Sequence, residues 1–191
     1  GWFFLYPGGD DSGDFGKEAA SLIADSGVAE IGMIMGFGGM AAAVLGLFNL
    51  SRRMTLGGGA GSSYANIATV LSLVAVASMI MGIGFNFAAA NAASARDGAT
   101  LLMVGDAGGA GMFPLGMGLL LALVGIAIAL EKNYHIVVAG LFAISGALMI
   151  AGFFVAGFSN ESADNLFTFI AWIIWMLSSV LLGVLRLRAS D

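Results

Sequence analysis

The chain has 191 residues, of which 59% are hydrophobic and only 10% charged. A soluble domain carries about 25% charged residues, so this chain lacks the polar surface to be one. Its net charge of −5 leaves no basic patch for nucleic acid, and the absence of cysteine excludes disulfides, thiolate metal sites and cysteine nucleophiles.

Residues 1–26 read as an extracytoplasmic segment. Trp2, Phe3, Phe4 and Tyr6 form an aromatic anchor of the kind that settles at the lipid headgroup level. The opening GWFFLYP is too short for a signal peptide or a span, and it has no basic region. Gly8–Gly16, GGDDSGDFG, is turn-forming. Asp10, Ser12, Asp14 and Glu18 reproduce part of a calcium loop. Phe15 stands where the sixth-position glycine belongs, and Ser21 where the twelfth-position glutamate belongs. Lys17–Asp25 predicts a short amphipathic helix with Leu22 and Ile23 toward the membrane surface.

Residues 27–191 read as a five-helix transmembrane domain. The first span starts near Gly27, and its uncharged part, Ile31–Leu50, rises about 30 Å as a helix, the thickness of the hydrocarbon core. Arg52 and Arg53 end it. The second run is Asn66–Ala90. The third is Met112–Leu130, with Pro114 in its first turn, where a missing N–H costs little. Glu131 and Lys132 stop it. The fourth is Ile136–Phe158 and the fifth Leu166–Leu187. None of the runs alternates in the way a barrel strand does. The fold class is therefore an all-α integral membrane protein.

Charge sets the expected orientation. With five spans, Arg52, Arg53, Lys132, Arg186 and Arg188 share one side, which is five of the seven basic residues. The positive-inside rule then places the N-terminus outside and the C-terminus inside. Asp10, Asp11, Asp14, Glu18, Asp25, Glu30, Asp97, Asp106, Glu161 and Asp164 make the outer face acidic. The plasma membrane is the expected location.

Between the second and third spans lies Leu101–Gly111, LLMVGDAGGAG. It reads as an outer loop or turn. A competing reading makes it a re-entrant half-helix that turns at Gly105-Asp106 and leaves through the glycines, with Asp106, Gly105 and Gly108 at a pore or outer vestibule. Irregular backbone at membrane depth must line water or be buried in protein, and a ring of aspartates would select cations.

The centres of the spans contain no ionisable residue, which removes the usual groups of proton relays. Ser72, Ser78, Ser145, Ser178 and Ser179 have no base beside them, and their hydroxyls are expected to bond to carbonyls of their own helices. Asn86 is the better candidate for a bond between helices. His135, the single histidine, sits at the inner boundary as an interfacial residue, or as one axial ligand at most. Trp172 and Trp175 fill space, or touch a lipid, a cofactor or a neighbouring subunit. Gly32 and Gly36 form a GxxxG step, and Gly82 and Gly140 mark further small-residue faces for close helix packing.

The leading expectation is a noncatalytic integral membrane subunit that stabilises a homo- or hetero-oligomeric complex. Its partners would be membrane lipids and itself or other integral membrane subunits. A cation-permeable channel with an acidic outer vestibule is the first alternative. A carrier or enzyme for a lipid-like substrate is the second. No cofactor is specified, although a bound lipid, quinone or pigment is compatible with the chain.

Overall fold

A computed structural model describes residues 14–109, 113–132, 135–156 and 166–189. The described chain forms seven helices: α1 (Phe15–Ala24), α2 (Ser26–Gly57), α3 (Ser62–Ala90), α4 (Ala95–Gly109), α5 (Phe113–Glu131), α6 (Ile136–Ala156) and α7 (Leu166–Ala189). Five of them, α2, α3, α5, α6 and α7, are long and apolar enough to cross a membrane. The protein is an all-α polytopic membrane protein. The aromatic anchor and most of GGDDSGDFG lie outside the described residues.

Local chemistry accounts for the helix ends. The Asp14 carboxylate accepts from the N–H groups of Gly16 (3.0 Å) and Lys17 (3.3 Å) and so caps α1. Helix α2 does not stop at the arginines. It continues through Arg52 and Arg53 to Gly57, and Gly58, at φ +65°, ends it. Charge ends an apolar run, but only a residue that leaves helical φ/ψ ends a helix, and glycine does so without a Cβ penalty. Lys132 takes the same left-handed conformation after α5, at φ 55°.

The segment expected to be a loop is largely helix. Ser94 Oγ donates to the Asp97 carboxylate (2.7 Å) and accepts from the Asp97 N–H (3.2 Å), a cap of the Ser-x-x-acid type that starts α4. The helix then runs through Gly105 and Asp106 to Gly109. Among the described residues, 101–109 are helix, and the chain does not turn at Gly105-Asp106. A capped start and a ladder already under way outweigh the weak helix propensity of scattered glycines. Ala110–Met112 lie outside the described residues.

The chain divides into two compact units. One comprises the chain through Ala42 with Val76–Ala110, and the other comprises Ala43–Ala75 with Gly111–Asp191. Helices α2 and α3 each contribute to both.

In the first unit, Ala19 and Leu22 of α1 pack with Ala29 and Met33 of α2, Ala89 and Ala90 of α3 and Leu102 of α4. The amphipathic helix expected near Lys17–Asp25 is thus real, and Leu22 enters this core rather than a lipid surface. Gly98 is the tight point. A Cβ there would lie 2.9 Å from Ala19 Cβ and 3.1 Å from the Ala89 carbonyl oxygen.

In the second unit, α5 has half of its apolar window buried, against 22% for the windows of α2 and α3. It packs along α6, to which a short connection joins it. At Gly125 a Cβ would sit 2.6 Å from the Ala143 nitrogen and 2.7 Å from the Ala139 oxygen. At Gly118 it would sit 2.9 Å from the Gly146 oxygen, and Gly146 in turn lies 2.5 Å by the same measure from the Gly118 oxygen. The two backbones touch, which only glycine permits.

Helix α6 also packs on α7. The buried Ser145 hydroxyl donates to the Ala171 carbonyl of α7 at 2.7 Å, so it does not bond within its own helix as expected. Ser72 and Ser178 do bond back to Ala68 and Ile174. Replacing Ser145 with alanine is expected to cost about 0.6–1.7 kcal/mol, the range for interhelical bonds in membranes. Denaturation in detergent, with Ser72→Ala as the reference, checks this. Equal effects of the two changes would mean that the cross-helix bond carries nothing.

Candidate functional site

Three places concentrate polar or aromatic groups among the described residues. The first is the α1–α4 region of the first unit. Glu30, half-buried on α2, accepts from Asn91 Nδ2 at 2.7 Å, and Asn91 also donates to the Phe87 carbonyl at 3.0 Å. Gly105 lies against α3, where an added Cβ would be 2.8 Å from Phe85 Cβ. Gly105 is therefore a packing glycine rather than the tip of a pore loop. Asp106 is partly buried within α4, and Gly108 lies in the same helix. Several of the acidic residues expected on the outer face have structural partners: Asp14 caps α1, Asp97 accepts from the Ser94 hydroxyl that caps α4, and Glu30 accepts from Asn91. Among the described residues there is no cluster of three or more His, Asp or Glu side chains that would hold a metal.

The second place is where α3 begins. Gly61 N–H donates to Glu131 Oε1 at 3.0 Å across 70 residues of sequence. The carboxylate at the end of α5 thus caps the start of α3, where the helix dipole favours negative charge. Gly59 packs on the same carboxylate, and Gly61 packs on the Ala127 carbonyl. Sequence reasoning treated Glu131 only as the end of an apolar run. The string Gly57-Gly58-Gly59-Ala60-Gly61 was the available signal, since so many glycines in one short connection imply close backbone approach.

The third place is α7. Trp172 is half-buried and stacks on Phe113, with ring centroids 5.9 Å apart and planes inclined by 14°. It also meets Trp175 at 4.9 Å. Trp175 is 2% exposed, and its indole N–H has no hydrogen-bond partner among the described residues. Further along α7, a groove of about 230 Å³ lies between it and α2. Helix α2 lines it with Ala43, Gly46, Leu47 and Leu50. Helix α7 contributes Ser179, Leu182 and Gly183. A Cβ at Gly46 or Gly183 would meet nothing within 4 Å.

The remaining expected site residues are dispersed. His135 is exposed and caps α6: its Nδ1 accepts from Val137 N–H at 3.3 Å, and its carbonyl accepts from Val138 N–H at 2.9 Å. Asn86 donates to the Gly82 carbonyl of its own helix at 2.9 Å. Gly32 is buried and Gly36 half-buried. Gly82 and Gly140 have open space where a Cβ would stand, whereas among the described helical glycines Gly98, Gly105, Gly118, Gly125 and Gly146 pack closely. Comparison with known proteins finds no matching family model, no matching curated protein and no matching solved structure.

Proposed function

We propose that this chain is a noncatalytic integral membrane subunit that assembles with copies of itself or with other membrane chains. The observation that carries this reading is the division of its helical glycines into two classes. Those of α5 and α6 at Gly118, Gly125 and Gly146 touch backbone inside the chain, whereas Gly38, Gly39, Gly82, Gly84 and Gly140 meet nothing within 4 Å. A glycine facing lipid exposes backbone and offers little area to an acyl chain. A glycine facing another helix lets the two axes approach closely. Only 22% of each of the α2 and α3 windows is buried, so most window positions of the two longest helices are left unburied among the described residues.

The test replaces Gly82 and Gly140 with leucine, singly and together. Thermal stability of the isolated chain is expected to hold, because both sites are open. The native mass after gentle extraction is expected to fall from that of the complex to that of the free chain. A wild-type protein that extracts as a stable single chain, or a double variant that keeps its full complex, would remove the subunit reading.

A further inference from the structure

Helix α4 slants into the membrane alongside α3. A Cβ at Gly98 would lie 3.1 Å from the Ala89 carbonyl oxygen, and one at Gly105 would lie 2.8 Å from Phe85 Cβ. Moving forward along α4 is therefore moving back along α3, away from the end that carries Asn91. The level of that end is set independently. Asn91 follows the last residue of α3 and donates to Glu30 of α2 at 2.7 Å. No charged residue follows Glu30 on α2 until Arg52. That stretch rises about 33 Å, close to the thickness of the hydrocarbon core. Glu30 and Asn91 thus mark one edge of the core, and Phe85, six residues back from Asn91, lies about 9 Å inside it. Asp106, next to Gly105, is partly buried at that depth.

Three unfavourable terms meet at this carboxylate. A charge inside the hydrocarbon is expensive to keep unless it is paired. Asp106 stands in the last turn of α4, the negative end of the helix dipole, and that turn has no basic residue. The unit that holds it has Lys17 and Arg96 as its only basic residues, and they stand in the first turns of α1 and α4. Arg96 is ten residues up the helix, about 15 Å along its axis.

We propose that Asp106 binds a monovalent metal cation, which relieves all three terms at once. Half-helix ends at membrane depth attract cations by their C-terminal dipole, and here a carboxylate adds a full charge to that end. Charge balance selects the class. One singly charged ion neutralises one carboxylate. A divalent ion would leave a net positive charge in the hydrocarbon and calls for several carboxylates, and among the described residues no group of three or more such ligands occurs.

The experiment melts the full chain in mild detergent, in sodium, potassium or choline chloride at equal ionic strength and neutral pH. Choline has the same charge but cannot accept oxygen ligands. A metal ion at tenfold its dissociation constant is expected to raise the melting temperature by about 3–5 °C over choline. Asp106→Asn should abolish that difference. Asp97→Asn, on the same helix at the membrane edge, should keep it. Equal melting of the wild type in all three salts overturns the proposal, and is the result expected if a proton neutralises Asp106 instead. A metal effect that survives Asp106→Asn overturns it too. So does a larger effect of calcium than of sodium and potassium. Equilibrium dialysis of the wild type with radioactive sodium and rubidium decides the matter even where the variant does not fold: about one ion bound per chain supports the site, and none overturns it.

Discussion

Gly125→Leu is expected to destabilise the protein by about 3 kcal/mol or more, the upper part of the range for overpacking. The reason is what stands opposite. A Cβ at Gly125 would be 2.6 Å from one backbone atom of α6 and 2.7 Å from another. Backbone cannot rotate out of the way as a side-chain tip can. The helices must move apart, and every contact along the α5–α6 seam weakens together, because dispersion falls steeply with separation. The seam includes Gly118 and Gly146, which touch in the same way. Gly140→Leu supplies the control. It adds the same side chain to α6, only one residue from Ala139, at a site with nothing within 4 Å. Unfolding by a graded denaturant in micelles, followed by tryptophan fluorescence, should separate the two by most of that 3 kcal/mol. Equal tolerance of both would mean that α5 and α6 do not meet at their backbones.

That contrast also marks what is legible in the chain. The five spans are legible because uncharged runs of sufficient length are rare outside membranes, but their limits are less so: the first overruns its arginines to Gly57, and the second starts at Ser62 rather than Asn66. The start of α4 carries a capping signal in Ser94-Ala95-Arg96-Asp97 that went unread, because the glycines further along suggested a loop. The roles of individual glycines were not legible. In a soluble helix a stripe of apolar residues marks the buried side. In α5 and α6 nearly every position is apolar, so no stripe distinguishes Gly125, in backbone contact, from Gly140, in open space. For the same reason the Ser145 hydroxyl looked no different from that of Ser72, although one crosses to α7 and the other stays in its own helix. Glu131 illustrates a different obstacle. Its partner is 70 residues away, and no local pattern announces a carboxylate that caps another helix.

Gly61→Ala tests that cap. The added methyl would stand on the Ala127 carbonyl, again a backbone atom. It cannot fit unless the start of α3 moves away from α5, and the move would break the bond from Gly61 N–H to the Glu131 carboxylate. Overpacking costs about 1–3 kcal/mol and a lost N-cap about 0.5–2, so Gly61→Ala should be worse than any change at Glu131 alone. Glu131→Ala removes the cap and leaves the packing at Gly61. Glu131→Gln keeps an acceptor of the same shape and gives up only the charge at the helix terminus, worth about 0.3–1 kcal/mol. The expected order of damage is therefore Gly61→Ala, then Glu131→Ala, then Glu131→Gln. Tryptic cleavage after Arg52 or Arg53 gives a local readout, since both are exposed in the last turns of α2 just before this connection. Cleavage should accelerate in the same order as the loss of stability. If Gly61→Ala left both cleavage and unfolding as they are in the wild type, α5 would not hold the start of α3. If Glu131→Gln were as damaging as Glu131→Ala, charge rather than hydrogen-bond shape would be what the helix terminus requires.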